Sequence, residues 1–315
     1  MKHVIKSKLR ISTSNNSTFQ YKESTPTNLI RHLSEQTIDK FHGLTKSLFD
    51  CIIESSPEKT VSIQNKIKGQ TIENVSDINS LALTAMYEMS YTKRIPTICK
   101  MMNIPSFIKR QAQEKDEWSI SDFLRIANYY ESTNSGFINR LYQIKDYSWM
   151  TQQQVNQCMD NIQSFVNKFM DGDTMYGFEY PVKTIHTHTI TDDIMISLKM
   201  NGRIDAVSHL YFIEFKCVHE LTIEHFLQVI IYAWMVNHSN DDFIHEKDKE
   251  FILLNIRDGQ CYQLRKDWYT IDLIMNRIIQ NKYKPTETMN RNEFIKQYSN
   301  IDLPYIQTEN MIGVL

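Results

Sequence analysis

Several features that would assign the chain to a familiar class are missing from its sequence. Its cysteines form no Cys-x-x-Cys pair, so neither a zinc ribbon nor a clustered iron–sulfur site is indicated. They are odd in number and widely separated, which is typical of reduced thiols in an intracellular protein. These five residues are Cys51, Cys99, Cys158, Cys217 and Cys261.

The sequence lacks three further features that would indicate a particular class of function. The polar N-terminus has no apolar segment of signal-peptide length, and no run of 18 apolar residues occurs, so we expect no membrane association. No G-x-x-x-x-G-K-[ST] motif is present, so we expect no nucleotide cofactor and no ATP motor. The net charge of -2 gives no global electrostatic indication of nucleic-acid binding.

The composition nevertheless predicts a folded protein. With 315 residues, 41% hydrophobic and 11% aromatic, the chain can bury the core of one large domain or two modest ones. Residues 1–36 are polar and predict a loose leader, with a short strand at Val4–Ile11. Residues 37–170 are mainly helical, and Ser119–Asp122 and Thr151–Gln154 both fit the capping box that begins a helix. The predicted helices are Thr37–Ser55, Ile78–Tyr91, Ser121–Tyr130, Gly136–Gln143 and Gln152–Met170.

Beyond Gly172 the apolar residues alternate, as half-buried strands require. Asn201-Gly202 predicts a short turn or a bulge between two of these strands, and a tail follows from residue 286. The whole pattern predicts an α/β protein, a central mixed sheet flanked by helices with a helical N-terminal half. Its strands are Phe178–Ile185, Ile194–Met200, Arg203–Val207, Tyr211–Cys217, Phe251–Ile256 and Cys261–Leu264, and its helices Glu220–Asn237 and Trp268–Asn281.

Two strands separated only by Ser208–Leu210 carry an unusual set of charges. If they pair as a hairpin, alternation brings Asp205 and Glu214 together, with Lys216 two residues beyond. Two carboxylates suit Mg²⁺, and a lysine beside them can stabilise charge on a phosphate, a combination suited to phosphodiester hydrolysis. The competing interpretation is an ion-pair ladder on a solvated sheet face.

The helix after this hairpin is apolar almost all round and should be buried. Yet His225, Gln228 and Tyr232 fall on one face of it, which indicates contact with the carboxylate site or its substrate. Local hydrogen bonding of the glutamine and the tyrosine is the alternative.

His186 and His188 flank Thr187 in the preceding alternating stretch. A metal-binding pair is one interpretation of this spacing. Solvent-facing residues of an edge strand are the other, and we favour it.

Together these residues resemble the RecB-like branch of the PD-(D/E)XK nuclease superfamily. Its pattern of G-R-[IV]-D, a strand with [DE]-x-K and a helix with H-x-x-Q-x-x-x-Y stands here in order between residues 172 and 265. The resemblance implies a restriction-endonuclease-like core over residues 171–285 and a Mg²⁺- or Mn²⁺-dependent deoxyribonuclease. It implies that Asp205, Glu214 and the main-chain carbonyl of Phe215 bind the metal and that Lys216 is the catalytic lysine. Supporting contacts to the site and the DNA backbone would come from Arg203, His225, Gln228 and Tyr232.

The family also has an upstream helix of the form G-x-x-x-H-x-x-x-E. The best match is Ser80–Glu88, in which Glu88 fits the last position as a further metal ligand, while Thr84 replaces the histidine and Ser80 the glycine. An ordinary amphipathic helix explains that segment equally well.

The helical stretch is similar to the region before the nuclease block in UvrD-type helicases of large DNA viruses. The resemblance implies a nuclease in DNA replication, repair or recombination, in the cytoplasm or the nucleus of a host cell if viral. Its expected partners are DNA and a helicase or replication protein. The alternatives are an inactive DNA-binding module with the same fold and a nuclease active only with a helicase partner.

Overall fold

A seven-stranded mixed sheet forms the centre of the protein. The computed structural model describes residues 18–33, 35–63, 75–101, 118–191, 194–239 and 247–283. The strands of this sheet are β1 (Thr18–Ser24), β2 (Phe49–Ile53), β3 (Met175–Thr191), β4 (Ile194–Ser208), β5 (Tyr211–Lys216), β6 (Glu250–Asn255) and β7 (Cys261–Leu264). The long strand β4 is paired with β3 along one edge, and with β1 and β5 at the two ends of its other edge. From β5 the sheet continues through β6 and β7 to β2, and among these described strands only β1/β4 and β5/β6 pair in parallel.

Helices cover both faces of this sheet, which confirms the predicted α/β architecture. One apolar core joins α3, α5 and α7 to one face, and a second joins α1, α2, α8 and α9 to the other. Strand β5 serves both cores, because Phe212 packs in the second while its neighbour Ile213 packs in the first. The helices are α1 (Pro26–Ile30), α2 (Glu35–Ser47), α3 (Ser76–Thr92), α4 (Thr97–Met101), α5 (Ile120–Ser135), α6 (Asn139–Gln143), α7 (Gln152–Phe169), α8 (Ile223–Asn237) and α9 (Trp268–Tyr283).

Local sequence signals account for the residues at which helices α5 and α7 begin. Both predicted capping boxes are present, with Ser119 and Asp122 at the start of α5 and Thr151 and Gln154 at the start of α7. Helix α8 is buried from Phe226 to Val236 apart from Gln228, as its largely apolar sequence predicts.

Two predictions of local structure near the N-terminus are wrong. Residues 18–30, expected in a loose leader, form β1 and α1, because pairing of β1 with the distant β4 stabilises this polar strand. The helix predicted over Thr37–Ser55 ends at Ser47, and Phe49–Ile53 pairs with β7 instead. A short apolar run fits either periodicity, so only the partner strand decides. The predicted strand Val4–Ile11 and the tail from residue 286 lie outside the described residues.

Strand β4 passes through Asn201-Gly202 without the predicted turn or bulge. The glycine instead allows β4 to lie close to helices α8 and α1. A Cβ at Gly202 would stand 2.6 Å from Cε1 of Tyr232 and 3.2 Å from Cγ of Pro26. Because that space is filled by the ring of Tyr232, a turn signal in the sequence here reflects packing against α8.

None of the helices in the described part of the chain combines the length and apolar character needed to cross a membrane.

Candidate functional site

The predicted carboxylate hairpin is formed by β4 and β5. Ala206 pairs with Ile213 and Val207 with Phe212, so Asp205 and Glu214 flank the paired residues on adjacent strands. Oδ2 of Asp205 accepts a 2.7 Å hydrogen bond from the main-chain nitrogen of Phe215, which fixes that carboxylate beside β5. Glu214 itself is buried, with only 4% of its surface exposed.

Lys216 connects this hairpin to helix α8. Its Nζ lies 2.7 Å from Oε1 of Glu214 and 2.9 Å from Oε1 of Gln228. Nε2 of Gln228 in turn lies 3.3 Å from the hydroxyl of Tyr232, one helical turn further along. The predicted polar face of α8 therefore reaches the carboxylate site, through a continuous chain from Glu214 to Tyr232. This geometry argues against a solvated ion-pair ladder, since both charged partners are largely buried.

A third carboxylate, Glu179 on β3, belongs to the site and was missed in the sequence. It lies between Phe178, which pairs with Ala206, and Tyr180, which pairs with Ile204, and so stands across from Asp205. Glu179 has φ of 49°, in the left-handed region that residues other than glycine seldom adopt. It is 7% exposed. The strand Phe178–Ile185 was predicted, but the glutamate within it was given no role.

Arg203 and α5 hold Glu179 in place. The guanidinium of Arg203 donates to the hydroxyl of Tyr130 at 2.6 Å, and that hydroxyl lies 3.3 Å from Oε2 of Glu179. Arg203 was expected to support the site, and its contact runs through Tyr130, a residue that sequence reasoning did not select.

The buried charges of the site strongly perturb one another. Burial, and then the charge of Glu214, raise the pKa of Asp205 well above its usual range. Burial likewise raises the pKa of Glu214, although Lys216 opposes this. For Glu179, burial followed by repulsion from Glu214 raises the pKa to about 7. Burial alone would lower the pKa of Lys216, but attraction by Glu214 and Asp205 leaves it raised, so the lysine is charged.

His225 lies at the start of α8. Its Nδ1 accepts a 2.9 Å hydrogen bond from the nitrogen of Thr222 and completes a capping box there. Burial, and then the charge of Lys216, lower the pKa of His225 to about 3, so this imidazole is neutral at pH 7. Its direct contact is therefore with the helix terminus, where it orients the helix that carries Gln228.

Glu88 lies on α3, where its carboxylate caps the next helix. Both of its oxygens accept from the nitrogen of Thr97, at 2.8 and 2.9 Å, and Oε1 also accepts from the hydroxyl of Thr97 at 2.6 Å. The same helix touches the hairpin through Ser80, whose Oγ accepts a 2.6 Å hydrogen bond from the nitrogen of Cys217. A metal contact by Glu88 would require its bonds to Thr97 to rearrange.

The chemistry of the donor set fits a hard divalent cation. Oε2 of Glu214 is buried and lacks a hydrogen-bond partner among the described residues, which leaves an acceptor available for a cation. Three carboxylates on neighbouring strands also outnumber the nearby cations Lys216 and Arg203. As the side chains stand, no three His, Cys, Asp or Glu residues of the described chain converge tightly enough to hold a metal ion. Binding therefore requires the carboxylates to turn towards a common centre.

Neither comparison with models of known protein families nor a search of curated proteins finds a match to this chain.

Proposed function

We propose that this protein is a metal-dependent nuclease that hydrolyses DNA phosphodiester bonds during replication, repair or recombination. The observation that supports this most directly is the buried hairpin of Asp205 and Glu214, with Lys216 bonded to Glu214 and to Gln228. Lys216 can neutralise only one of the two largely enclosed carboxylates. The uncompensated negative charge costs several kcal/mol unless a proton or a cation binds, so this arrangement favours ligand binding over a purely structural role.

Each residue has a task in this proposal. Asp205, Glu214, the carbonyl of Phe215 and Glu179 would hold Mg²⁺ or Mn²⁺, which supplies Lewis acidity at the scissile phosphate. Lys216 places a positive charge beside the reacting phosphate, where it stabilises the negative charge that grows in the transition state. Gln228 orients Lys216, and Tyr232 orients Gln228, so helix α8 sets the position of the ammonium group.

Cleavage assays test the proposal directly. The full chain is incubated with labelled single-stranded DNA, duplex DNA and RNA, with Mg²⁺, Mn²⁺ or EDTA. We expect metal-dependent DNA cleavage that falls by about 100-fold or more in Asp205→Ala and in Lys216→Ala. Lys145→Ala, which removes an exposed lysine elsewhere, is the matched control and should retain full activity.

The outcomes separate the three functions considered. If the parent chain binds DNA without cleaving it, and both variants bind equally well, the proposed enzymatic activity is wrong. That result would favour an inactive DNA-binding module. Cleavage that appears only when a helicase and ATP are added would favour a nuclease subunit that depends on its motor partner. Preferential cleavage of RNA would contradict the proposal that DNA is the substrate.

A further inference from the structure

One face of the sheet is exposed where β1, β4 and β3 run side by side. Phe19 pairs with Met195 and Tyr21 with Ser197, while on the other edge of β4 Thr189 pairs with Met195. Side chains at these positions project to one face, and their neighbours in the chain project into the second core. We call this surface the outer face.

Large apolar side chains are concentrated on the outer face. Phe19 is 59% exposed, Tyr21 55%, Ile185 52% and Met195 36%. Single exposed apolar residues are ordinary, but in the strand register Phe19, Tyr21 and Met195 are close neighbours, and Ile185 lies four residues further along β4, beside Lys199. Such a concentration of exposed apolar side chains usually marks a binding surface. Two of the four are aromatic rings on the same short strand.

The charge of the outer face is positive. It carries Lys183, Lys199 and Arg203, while its one acidic residue among the described positions is Glu23. Nζ of Lys199 lies 3.1 Å from Oε1 of Glu23, so that carboxylate is already paired. Rings flanked by surplus cations suit a polyanion with exposed flat bases better than a second apolar protein surface.

The outer face leads to the candidate site. Arg203 is its last residue on β4, and through Tyr130 it contacts Glu179, which lies across from Asp205. Ten residues of β4 separate Met195 from Asp205, a distance of roughly 33 Å along the strand. A linear polymer that follows β4 along the outer face would therefore run towards the carboxylates.

We infer that the outer face binds single-stranded nucleic acid and directs it into the carboxylate site, an inference that rests on the proposed nuclease function for the identity of its ligand. In a single strand the bases are free to stack on Phe19 and Tyr21, whereas a duplex keeps its bases paired inside. Lys183 and Lys199 would contact phosphates alongside.

Binding measured without cleavage tests this inference. The probe is a fluorescein-labelled 20-nucleotide oligothymidine, followed by fluorescence anisotropy in EDTA, with the full chain carrying Asp205→Asn to prevent cleavage. We expect Phe19→Ala combined with Tyr21→Ala to weaken binding at least about tenfold, since each ring stacks on a base. Binding of a 20-base-pair duplex should change far less. Tyr269→Ala is the matched control, because Tyr269 is 79% exposed on α9.

A second variant keeps the inference testable if the double variant misfolds, as judged by circular dichroism. Lys183→Ala should reduce the slope of log affinity against log salt by roughly 0.7, the value for one lost phosphate contact on a single strand. An unchanged affinity in the ring variant and an unchanged slope in Lys183→Ala would overturn the inference. So would conversion of a dimer into a monomer by the ring substitutions, because the face would then join two copies of the chain.

The two proposals fail in different ways. If the oligonucleotide binds through the rings of Phe19 and Tyr21 but the parent chain cleaves nothing, the nucleic-acid-binding role of the outer face is supported and the nuclease function is contradicted. If the parent chain cleaves DNA and removal of both rings leaves the affinity for the oligonucleotide unchanged, the nuclease function is supported and the binding role of the outer face is contradicted.

Discussion

Nζ of Lys216 lies 2.7 Å from Oε1 of Glu214, two residues earlier on the same strand, and this ion pair is the electrostatic centre of the site. The bond neutralises one of three neighbouring carboxylates and leaves the negative charge of Asp205 and Glu179 to be relieved by protons or a cation. A divalent ion would compete with Lys216 for Glu214 and free its ammonium group to face a phosphate. We therefore expect metal binding and the position of the lysine to be coupled.

Metal binding should stabilise the fold. At pH 8, we expect Mg²⁺ or Mn²⁺ to raise the Tm of the parent chain, since an ion at 100 times its Kd adds about 2.7 kcal/mol to the free energy of unfolding. Asp205→Asn should lose most of this shift. Differential scanning calorimetry over a metal titration measures it, with Glu54→Gln as an exposed control. Equal shifts in Asp205→Asn would place the bound ion elsewhere.

Glu179 should make stability depend on pH. Its pKa is raised from 4.5 to about 7, so the folded state binds the proton more tightly than the unfolded chain does. The stability this provides is complete below pH 4.5 and is lost as the pH rises through about 7. At pH 8, Glu179→Gln should therefore exceed the parent chain by on the order of 3 kcal/mol in free energy of unfolding, before any loss of contacts.

Urea unfolding at pH 4.5 and pH 8 measures this difference without added metal. Glutamine keeps an oxygen for the hydroxyl of Tyr130, so the comparison isolates the charge. The charged neighbours of Glu179 are Glu214, Arg203, Glu88 and Asp205, and all four remain in both proteins. A gap between variant and parent that is equal at the two pH values would show that Glu179 does not titrate in the site. Cleavage should fall in the same variant.

The hairpin of Asp205 and Glu214 was predictable because its two strands are close in sequence and alternation fixes their faces. Glu179 was not predictable in the same way, because its approach to Asp205 depends on the register of β3 against β4 and on an unusual backbone angle. The same limit applies to β1, whose partner lies more than 170 residues away. Local periodicity reports neither kind of pairing.

Gly202 was correctly singled out in the sequence, but this glycine permits close packing against Tyr232 and does not form a turn. The effect of filling that space can be tested. We expect Gly202→Ala to cost about 1–3 kcal/mol in free energy of unfolding, because its methyl group would stand 2.6 Å from the ring of Tyr232. The cost should shrink in a Tyr232→Ala background, where the ring is absent. Chemical denaturation of the four proteins in this double-mutant cycle measures the coupling.

Gly43→Ala is the matched control for that cycle. A Cβ at Gly43 meets nothing within 4 Å, and the residue lies within α2, so alanine should stabilise by about 0.5–1 kcal/mol. If Gly202→Ala proved as harmless as Gly43→Ala, the close approach of Tyr232 to β4 would be wrong.

The histidines of β3 provide a second pH-dependent feature, away from the carboxylates. His188 lies on an edge strand as expected, since β3 pairs only with β4 among the described strands, but the expectation that it faces solvent is wrong. It is 7% exposed and its ring stacks against Trp234. Its Nδ1 lies 3.2 Å from Oδ1 of Asn276, and its Nε2 is buried without a hydrogen-bond partner among the described residues. Burial, and then the charge of His186, lower its pKa from 6.5 to about 4.

This shift makes the fold sensitive to acid, because the unfolded chain takes up the proton at a higher pH than the folded one. Stability is complete above pH 6.5 and is lost as the pH falls towards about 4. His188→Phe keeps a ring against Trp234 and removes the titration, so it should lose on the order of 2 kcal/mol less than the parent between pH 7 and pH 4.5. His219→Phe, at an exposed position, should follow the parent. The other titratable neighbours, His186, His238 and Asp272, remain in all three proteins, so parallel pH profiles for parent and His188→Phe would assign the acid sensitivity to them instead.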